Sequence, residues 1–198
     1  MGKEKNRGDL QWIQAVLKGE AQAFGHLVDQ YKDFVYTLAF SLLKQREEAE
    51  ETAQDTFMKA FRYLSGFRQD AKFSTWLYRI AYNECITRLR KRKTALPVAD
   101  GWDEQHLAEE TDPCEMPWHE LEERYRQLHG AIGELSEADR VLVMLYYFEK
   151  LPVEEVSAIT GLGISNVKTK LFRTRKKLYD KLLRLNGETT FRKGENKK

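Results

Sequence analysis

The side chains best suited to chemistry in this chain are cations, and they are densest near its C-terminal end. Between Ser165 and Arg184, eight Lys or Arg residues stand against a single acid, Asp180. Such a density of ammonium and guanidinium groups attracts the phosphates of nucleic acid. Apolar residues recur at helical spacing through the same stretch, so the polar residues fall on the remaining faces of the predicted helix. Those residues are Ser165, Asn166, Lys168, Thr169, Phe172, Arg173 and Arg175.

A shorter amphipathic segment and a glycine-containing break precede this basic helix. Val153, Val156 and Ile159 give the first segment its apolar face, and the break is Gly161-Leu162-Gly163. A helix end often needs the left-handed conformation, which glycine adopts at little cost because it has no Cβ. The pattern predicts a helix-turn-helix over residues 151–178. A helical hairpin with a solvated basic face is the alternative interpretation.

A second concentration of cations closes a helix predicted over residues 74–93. Arg79 and the terminal sequence RLRKRK are opposed there only by Glu84. The preceding loop, residues 65–73, places Phe67 between Gly66 and Arg68. Cations beside exposed aromatic rings are what single-stranded nucleic acid requires, since bases stack on aromatic faces. Phe67 is the best candidate for a base contact, whereas Trp76 is more simply explained as a core residue.

Acidic residues form a stripe on the helix predicted over residues 47–64. Glu48, Glu51 and Asp55 lie at intervals of three and four, on a different face from Phe57 and Phe61, which are predicted to be buried. An ordinary solvated face is the simpler explanation, and a docking surface for a basic partner helix is the alternative. Because such a stripe would be exposed, charge reversal at Asp55 is expected to leave the fold intact.

Residue combinations typical of enzymes, metal sites and membrane proteins are missing from the sequence. Cys85 and Cys114 show neither a disulfide framework nor metal-ligand spacing, and no HExxH or CxxC motif occurs. The longest apolar run, residues 141–148, is too short to cross a bilayer, and the N-terminus has no signal-peptide core. We therefore expect a cytoplasmic protein without catalytic residues, metal or cofactor.

Composition changes abruptly between Lys93 and Arg124, where ten acids occur with no Lys or Arg and four prolines or glycines interrupt any long helix. The segments on either side of this stretch are predicted to be helical. Residues 9–43 should form two helices with a break near Gly19. Ser136-x-x-Asp139 resembles a capping box, which marks the start of a helix. The sequence predicts an all-α protein of two small helical domains joined by a flexible acidic linker. The expected bounds are a domain at 9–93, a linker at 94–118, a domain at 119–185 and a disordered tail at 186–198.

Three motifs in the predicted helices resemble those of the extracytoplasmic-function (group 4) sigma factors of bacteria. They are AEETAQDTFMKAF, FRQDAKFSTWLYRIAYN and GISNVKTKLFRTRKKL. The resemblance implies a sigma domain 2 and a sigma domain 4 with helix-turn-helix, without a domain 3 between them. It also implies that the acidic helix docks on a coiled coil of core RNA polymerase. The residues implied for this contact are Glu51, Gln54, Asp55 and Phe57.

The resemblance assigns the other candidate residues to promoter DNA. It implies capture of a melted minus-ten base by the loop and the helix after it, through Phe67, Arg68, Gln69, Asp70, Ala71, Lys72, Arg79 and Asn83. It places minus-thirty-five contacts on the basic helix, through Ser165, Asn166, Lys168, Thr169, Phe172, Arg173 and Arg175, with phosphates met by residues 175–177. The implied partners are core polymerase, promoter DNA and an anti-sigma factor, often membrane-anchored, with no small-molecule substrate. A stand-alone helix-turn-helix transcriptional regulator is the alternative function.

Overall fold

The computed structural model describes residues 2–95 and 118–195, so the predicted linker lies almost wholly outside the described residues. Regular structure in the described ranges is helical throughout, which confirms the all-α prediction. The α-helices are α1 Gly2–Leu17, α2 Phe24–Leu43, α3 Arg46–Arg62, α4 Phe73–Ala95, α5 Trp118–Gly133, α6 Glu137–Val143, α7 Val153–Thr160 and α8 Ile164–Glu195.

The first helices end where the backbone becomes left-handed. Gly19, at a φ of +103°, follows α1, and a 3₁₀ turn at Ala21–Ala23 leads into α2. Lys44, at a φ of 60°, ends α2 and donates its backbone N–H to the Phe40 carbonyl at 3.0 Å. The predicted break near Gly19 is therefore confirmed.

Two compact units divide the chain, and the first contains α1 to α4 together with α7. Its core forms where α2 packs against α3 and α4. Burial is nearly complete at Leu27, Val35, Leu38 and Leu42 of α2, Ala49 and Ala60 of α3, and Phe73, Leu77 and Ala81 of α4. These positions recur at the three- and four-residue spacing of one helix face, which explains why these segments form amphipathic helices.

A buried carboxylate attaches α1 to α2. Asp9 is only 2% exposed, and it accepts hydrogen bonds from the Tyr31 hydroxyl at 2.6 Å and from the Gln30 amide at 2.7 Å. A buried charge is tolerated when such bonds replace its hydration. The pair therefore fixes the register of α1 on α2.

The second unit contains α5, α6 and α8. Ile132, Leu135 and Val143 form an apolar cluster, against which Leu128 and Leu178 pack. Ser136 caps α6 by accepting the Asp139 backbone N–H at 3.2 Å, as the sequence predicts. The Asp139 carboxylate does not complete a capping box, however, because it is paired with Lys177 instead.

The C-terminal end of α5 is held by a buried guanidinium. Arg140, 7% exposed, donates to the carbonyl oxygens of Gly133 at 2.7 Å and Leu135 at 2.8 Å. Helix ends leave such carbonyls without an intrahelical partner, and a cation placed there satisfies them. Burial lowers the pKa of Arg140 from its ordinary value, although a guanidinium stays protonated.

Three features differ from the sequence-based expectations. The apolar stretch after α6 continues as a π-helical turn, Met144–Phe148, rather than as an α-helix. α7, predicted in the second domain, clusters with the first unit. Finally, α8 continues to Glu195, so residues 186–195 are helical where a disordered tail was expected, since no proline interrupts them.

Candidate nucleic-acid and protein interfaces

One side of α8 is polar and exposed along its first three turns. Val167, Leu171 and Thr174 are buried, and they fix which side of the helix faces inward. All seven residues predicted for this surface are exposed: Ser165, Asn166, Lys168, Thr169, Phe172, Arg173 and Arg175. Gly161, at a φ of +73°, closes the preceding helix, with its N–H bonded to the Ser157 carbonyl at 2.9 Å. The left-handed glycine predicted at this turn is therefore confirmed.

Several cations of α8 are engaged within the second unit rather than pointing to a ligand. Lys177 lies 3.2 Å and Lys170 lies 3.9 Å from the buried Asp139 carboxylate, and Lys181 pairs with Glu134. The sequence indicated a phosphate contact for Lys177, but its ammonium group already has an acidic partner. The Asp139 pairing was missed because the two residues are far apart in the chain and no motif connects them.

The loop before α4 carries an aromatic cluster. The Phe67 ring lies 5.8 Å from that of Phe73 and 5.3 Å from that of Trp76, between centroids. Phe67 and Trp76 are both half-buried. Phe67 is therefore less accessible than expected for a ring in an exposed loop, and Trp76 is less buried than the core residue that the sequence predicted. Together they form a partly open aromatic surface on which a base could stack.

The other loop residues lie around this cluster. Arg68, Gln69, Asp70 and Ala71 are exposed, and Gln69 has a φ of 62°. A left-handed residue other than glycine or asparagine is uncommon, and such strain concentrates at functional sites. The loop therefore has a defined, sharply turned backbone that presents polar groups beside aromatic rings.

Lys72, at the end of this loop, already has a partner within the first unit. Its ammonium group lies 2.7 Å from the Glu155 carboxylate of α7, which also accepts the Thr75 hydroxyl at 2.5 Å. A phosphate bound at Lys72 would have to replace this carboxylate. Arg79 and Asn83, one turn apart on α4, are by contrast exposed on a common face.

The acidic stripe of α3 is not an unpaired solvated face. Arg88 of α4 donates to Glu51 at 2.8 Å and to Asp55 at 2.6 Å. One turn further along α4, Arg92 lies 2.5 Å from Glu48. The Arg88 guanidinium lowers the pKa of Glu51 below its ordinary value, chiefly through the hydrogen bond between them. The basic end of α4, interpreted from sequence as a nucleic-acid surface, thus faces α3 in part.

The outer side of α3 presents apolar as well as polar groups. Gln54 is exposed, whereas Phe57 is 8% exposed and belongs to the core. Met58 and Phe61 are 63% and 44% exposed, although the sequence predicted Phe61 to be buried. Phe61 instead packs edge-on against Phe24 at 5.1 Å, which covers only one side of its ring. Met58 carries no sequence signal that separates it from an ordinary surface residue.

Within the part of the chain that the structure describes, no group of three or more His, Cys, Asp or Glu side chains is arranged to hold a metal ion. Cys85 is buried, and burial raises the pKa of its thiol to about 12. A thiol with such a pKa is almost entirely protonated at neutral pH and is a poor nucleophile. None of the described helices is long and apolar enough to span a membrane.

Comparison with known families assigns both parts of the chain. The family model Sigma-70 region 2 matches residues 27–95, and the model Sigma-70, region 4 matches residues 121–178, a range that includes α7 as the sequence predicted, although α7 clusters with the first unit. The chain is 34% identical over 179 residues to the ECF RNA polymerase sigma factor SigW of Bacillus subtilis, covering 86% of this chain and 94% of that protein. The chain belongs to the extracytoplasmic-function sigma factors of the sigma-70 family.

Further relatives of this sigma factor agree with the assignment. The RNA polymerase sigma-H factor of Pseudomonas aeruginosa is 32% identical over 181 residues, covering 88% of this chain and 93% of its own. Among solved structures, RpoE of Bartonella quintana, co-crystallised with the anti-sigma factor NepR, has a TM-score of 0.62 at 25% identity. The aligned region covers 81% of this chain and 97% of the RpoE chain. CnrH, in complex with the cytosolic domain of CnrY, shares the fold with a TM-score of 0.61 at 22% identity. The aligned region covers 87% of this chain and 96% of the CnrH chain.

The function follows from the family. This protein is an RNA polymerase sigma factor that binds the core enzyme and directs promoter-specific initiation of transcription. The alternative of a stand-alone helix-turn-helix regulator is not favoured, because the match extends across both regions.

The Arg88 pairs give charge reversal at Asp55 a cost in stability that the sequence did not predict. Asp55→Lys removes one partner of Arg88 and puts a cation beside it, so we expect a loss of unfolding free energy on the order of 1 kcal/mol. The double variant Asp55→Lys with Arg88→Glu recreates this pair but puts the new carboxylate beside Glu51, so it should recover only part of that loss. Urea denaturation of the four proteins of this double-mutant cycle measures the coupling. Additive effects of the two substitutions would contradict the pairing.

Proposed function

We propose that this sigma factor uses three surfaces, one to bind core polymerase and two to bind promoter DNA. Residues 9–93 act as domain 2, which docks on core polymerase through α3 and captures melted minus-ten DNA through the loop and α4. Residues 119–185 act as domain 4, which reads the minus-thirty-five element with α8. As an initiation factor, the protein has no catalytic step of its own and works in the cytoplasm, where polymerase and promoter are.

Docking on core polymerase would use the outer side of α3. Gln54 and Met58 lie one turn apart and are exposed, so they form a contact with both polar and apolar character. Glu51 is paired with Arg88 but still 64% exposed in its side chain, which leaves a carboxylate edge for a basic partner. Phe57 contributes indirectly, because its buried ring holds α3 in place. Asp55 has both roles, since it pairs with Arg88 and remains 41% exposed.

Capture of minus-ten DNA would use the turned loop and the aromatic cluster behind it. A base that leaves the stack costs a few kcal/mol, which stacking of about 1–3 kcal/mol and hydrogen bonds must offset. Phe67 and Trp76 supply the aromatic surface, and Arg68, Gln69 and Asp70 supply polar groups around it. Arg79 and Asn83 extend the surface along α4.

Reading of the minus-thirty-five element would use the exposed side of α8. Lys168 and Arg173 are cations without a described acidic partner, and both can donate to guanine O6 and N7. Asn166 and Thr169 offer hydrogen bonds, and the exposed Phe172 ring offers apolar contact to a thymine methyl group. This exposed, mixed surface on the region 4 helix is the observation that carries the proposal.

An anti-sigma factor is a further proposed partner. The relevant precedent is RpoE of Bartonella quintana, which was crystallised with the anti-sigma factor NepR. A sequestering protein would have to cover at least one of the surfaces described above. The exposed Met58 and Phe61 on α3 are suitable apolar contacts for it.

Gln54→Lys tests the docking surface without disturbing the Arg88 pairs. We expect at least a tenfold loss of affinity for bacterial core polymerase, because a cation is placed opposite a basic partner, with no change in unfolding free energy. Gln11→Lys, the same substitution at an exposed position of α1, is the matched control. Fluorescence anisotropy of the labelled sigma factor titrated with core measures both. Equal affinities for the two variants would count against docking through α3.

Arg173→Ala tests base reading by α8. Loss of a bidentate contact to guanine costs about 1–3 kcal/mol of discrimination, so we expect sequence preference to relax at one upstream position. Arg124→Ala removes an exposed cation of α5 and serves as the control. Holoenzyme formed with each variant selects promoters from a pool randomised in the upstream element, and sequencing gives the preference at each position. A pool from Arg173→Ala that matches the wild-type pool would contradict base reading by Arg173.

A further inference from the structure

One guanidinium of α4 lies behind the two carboxylates that are proposed to meet core polymerase. Arg88 donates through Nη1 to Oε2 of Glu51 at 2.8 Å and through Nη2 to Oδ2 of Asp55 at 2.6 Å. The Arg88 side chain is 22% exposed, whereas those of Glu51 and Asp55 are 64% and 41% exposed. A partner that approaches from solvent therefore meets the carboxylates before it meets the guanidinium.

The Arg88 bridge restricts both carboxylates. Glu51 and Asp55 are four residues apart on α3, so their negative charges are neighbours on the helix surface and repel each other. The planar fork of Arg88 bonds one oxygen of each, which offsets the repulsion and favours a single arrangement of both side chains. The bridge uses Oε2 of Glu51 and Oδ2 of Asp55, so the second oxygen of each carboxylate remains to accept a bond from a partner.

This bridge has two opposite effects on the attraction of a basic partner. Arg88 reduces the negative charge of the surface, but a single charge at a solvent-exposed site is strongly screened at physiological salt. Arg88 also orders two side chains before binding, and each side chain that must otherwise be ordered at an interface lowers the affinity. With two side chains ordered against one screened charge lost, the ordering effect is the larger.

We propose that Arg88 is a positioning residue for core polymerase. It holds Glu51 and Asp55 in the arrangement that accepts cationic side chains of the polymerase, and it stays bonded to both carboxylates in the complex. The inference rests on the proposed docking through α3 and adds to it a residue of α4 that does not itself touch the partner. The opposing role is that of an internal competitor, which must leave the carboxylates before polymerase binds.

Arg88→Lys keeps the charge and removes the fork. An ammonium group is a single point of charge, so it does not reproduce a bridge made by two separate nitrogens. We expect affinity for bacterial core polymerase to fall about tenfold, because both carboxylates must then be ordered during binding. Arg88→Gln also removes the charge, so it should associate faster than Arg88→Lys at low salt and still bind more weakly than wild type.

Glu84→Gln controls for a general loosening of the helix pair. It breaks a different ion pair between α3 and α4, that of Lys59 with Glu84 at 2.6 Å, and leaves the acidic stripe intact. Urea denaturation gives the loss of stability in each variant, and fluorescence anisotropy of the labelled sigma factor titrated with core gives the affinity. Glu84→Gln should bind core within about twofold of wild type, although it is destabilised to a similar extent as Arg88→Lys.

A double-mutant cycle in core affinity shows whether Arg88 acts through the carboxylates. Glu51→Gln and Arg88→Lys should each weaken binding. The double variant should be weaker than wild type by less than the product of the two separate losses, because both substitutions disturb the same contact. A loss equal to the full product would mean that the effect of Arg88 does not pass through Glu51, and would contradict the proposal.

The remaining outcomes separate the proposal from its alternatives. Unchanged or higher core affinity in Arg88→Lys would overturn the positioning role, and a higher affinity would identify an internal competitor. An equal loss of affinity in Glu84→Gln would overturn it in favour of a purely structural residue. Weaker promoter binding by preformed holoenzyme with unchanged core affinity would assign Arg88 to DNA instead. Unchanged core affinity in Gln54→Lys, measured in parallel, would refute docking through α3 itself, whatever the result at Arg88.

Discussion

The ion pairs between α4 and α3 are the constraint that aligns these two helices in the first unit. Arg88 is 22% exposed in its side chain and bridges two carboxylates one turn apart, Glu51 and Asp55. Arg92 adds a bond to the carbonyl of Leu43, so it also holds the end of α2. α3 carries the proposed docking surface and α4 follows the proposed base-capturing loop. The pairs therefore help to fix the distance between the proposed polymerase contact and the proposed DNA contact.

Charge pairing has a comparable role in the second unit. Asp139 is buried and pairs with Lys177 and Lys170 of α8, while Lys168, Arg173 and Lys176 remain exposed. An internal acid thereby engages two cations of this basic helix, which leaves the others for the proposed DNA contact.

Much of this organisation is predictable from sequence because it depends on local periodicity. The helices, the left-handed Gly161 and the exposed side of α8 all follow from spacing within a few residues. The salt bridges are not predictable in this way, since Arg88 and Asp55 are 33 positions apart and Arg92 and Glu48 are 44 apart. Phe61 shows the same limit, because helical spacing alone could not tell that Phe24 covers only one side of its ring.

The two proposed DNA-contacting surfaces are expected to act together only on core polymerase. The most direct test of this joint action is transcription from promoter fragments by purified bacterial core enzyme, with and without this protein, combined with footprinting of the bound DNA. The account predicts specific transcripts only when the protein is added, with protection of both elements and an open region at the downstream one. Tight binding to duplex sites by the protein alone, without specific transcripts from any fragment, would contradict it.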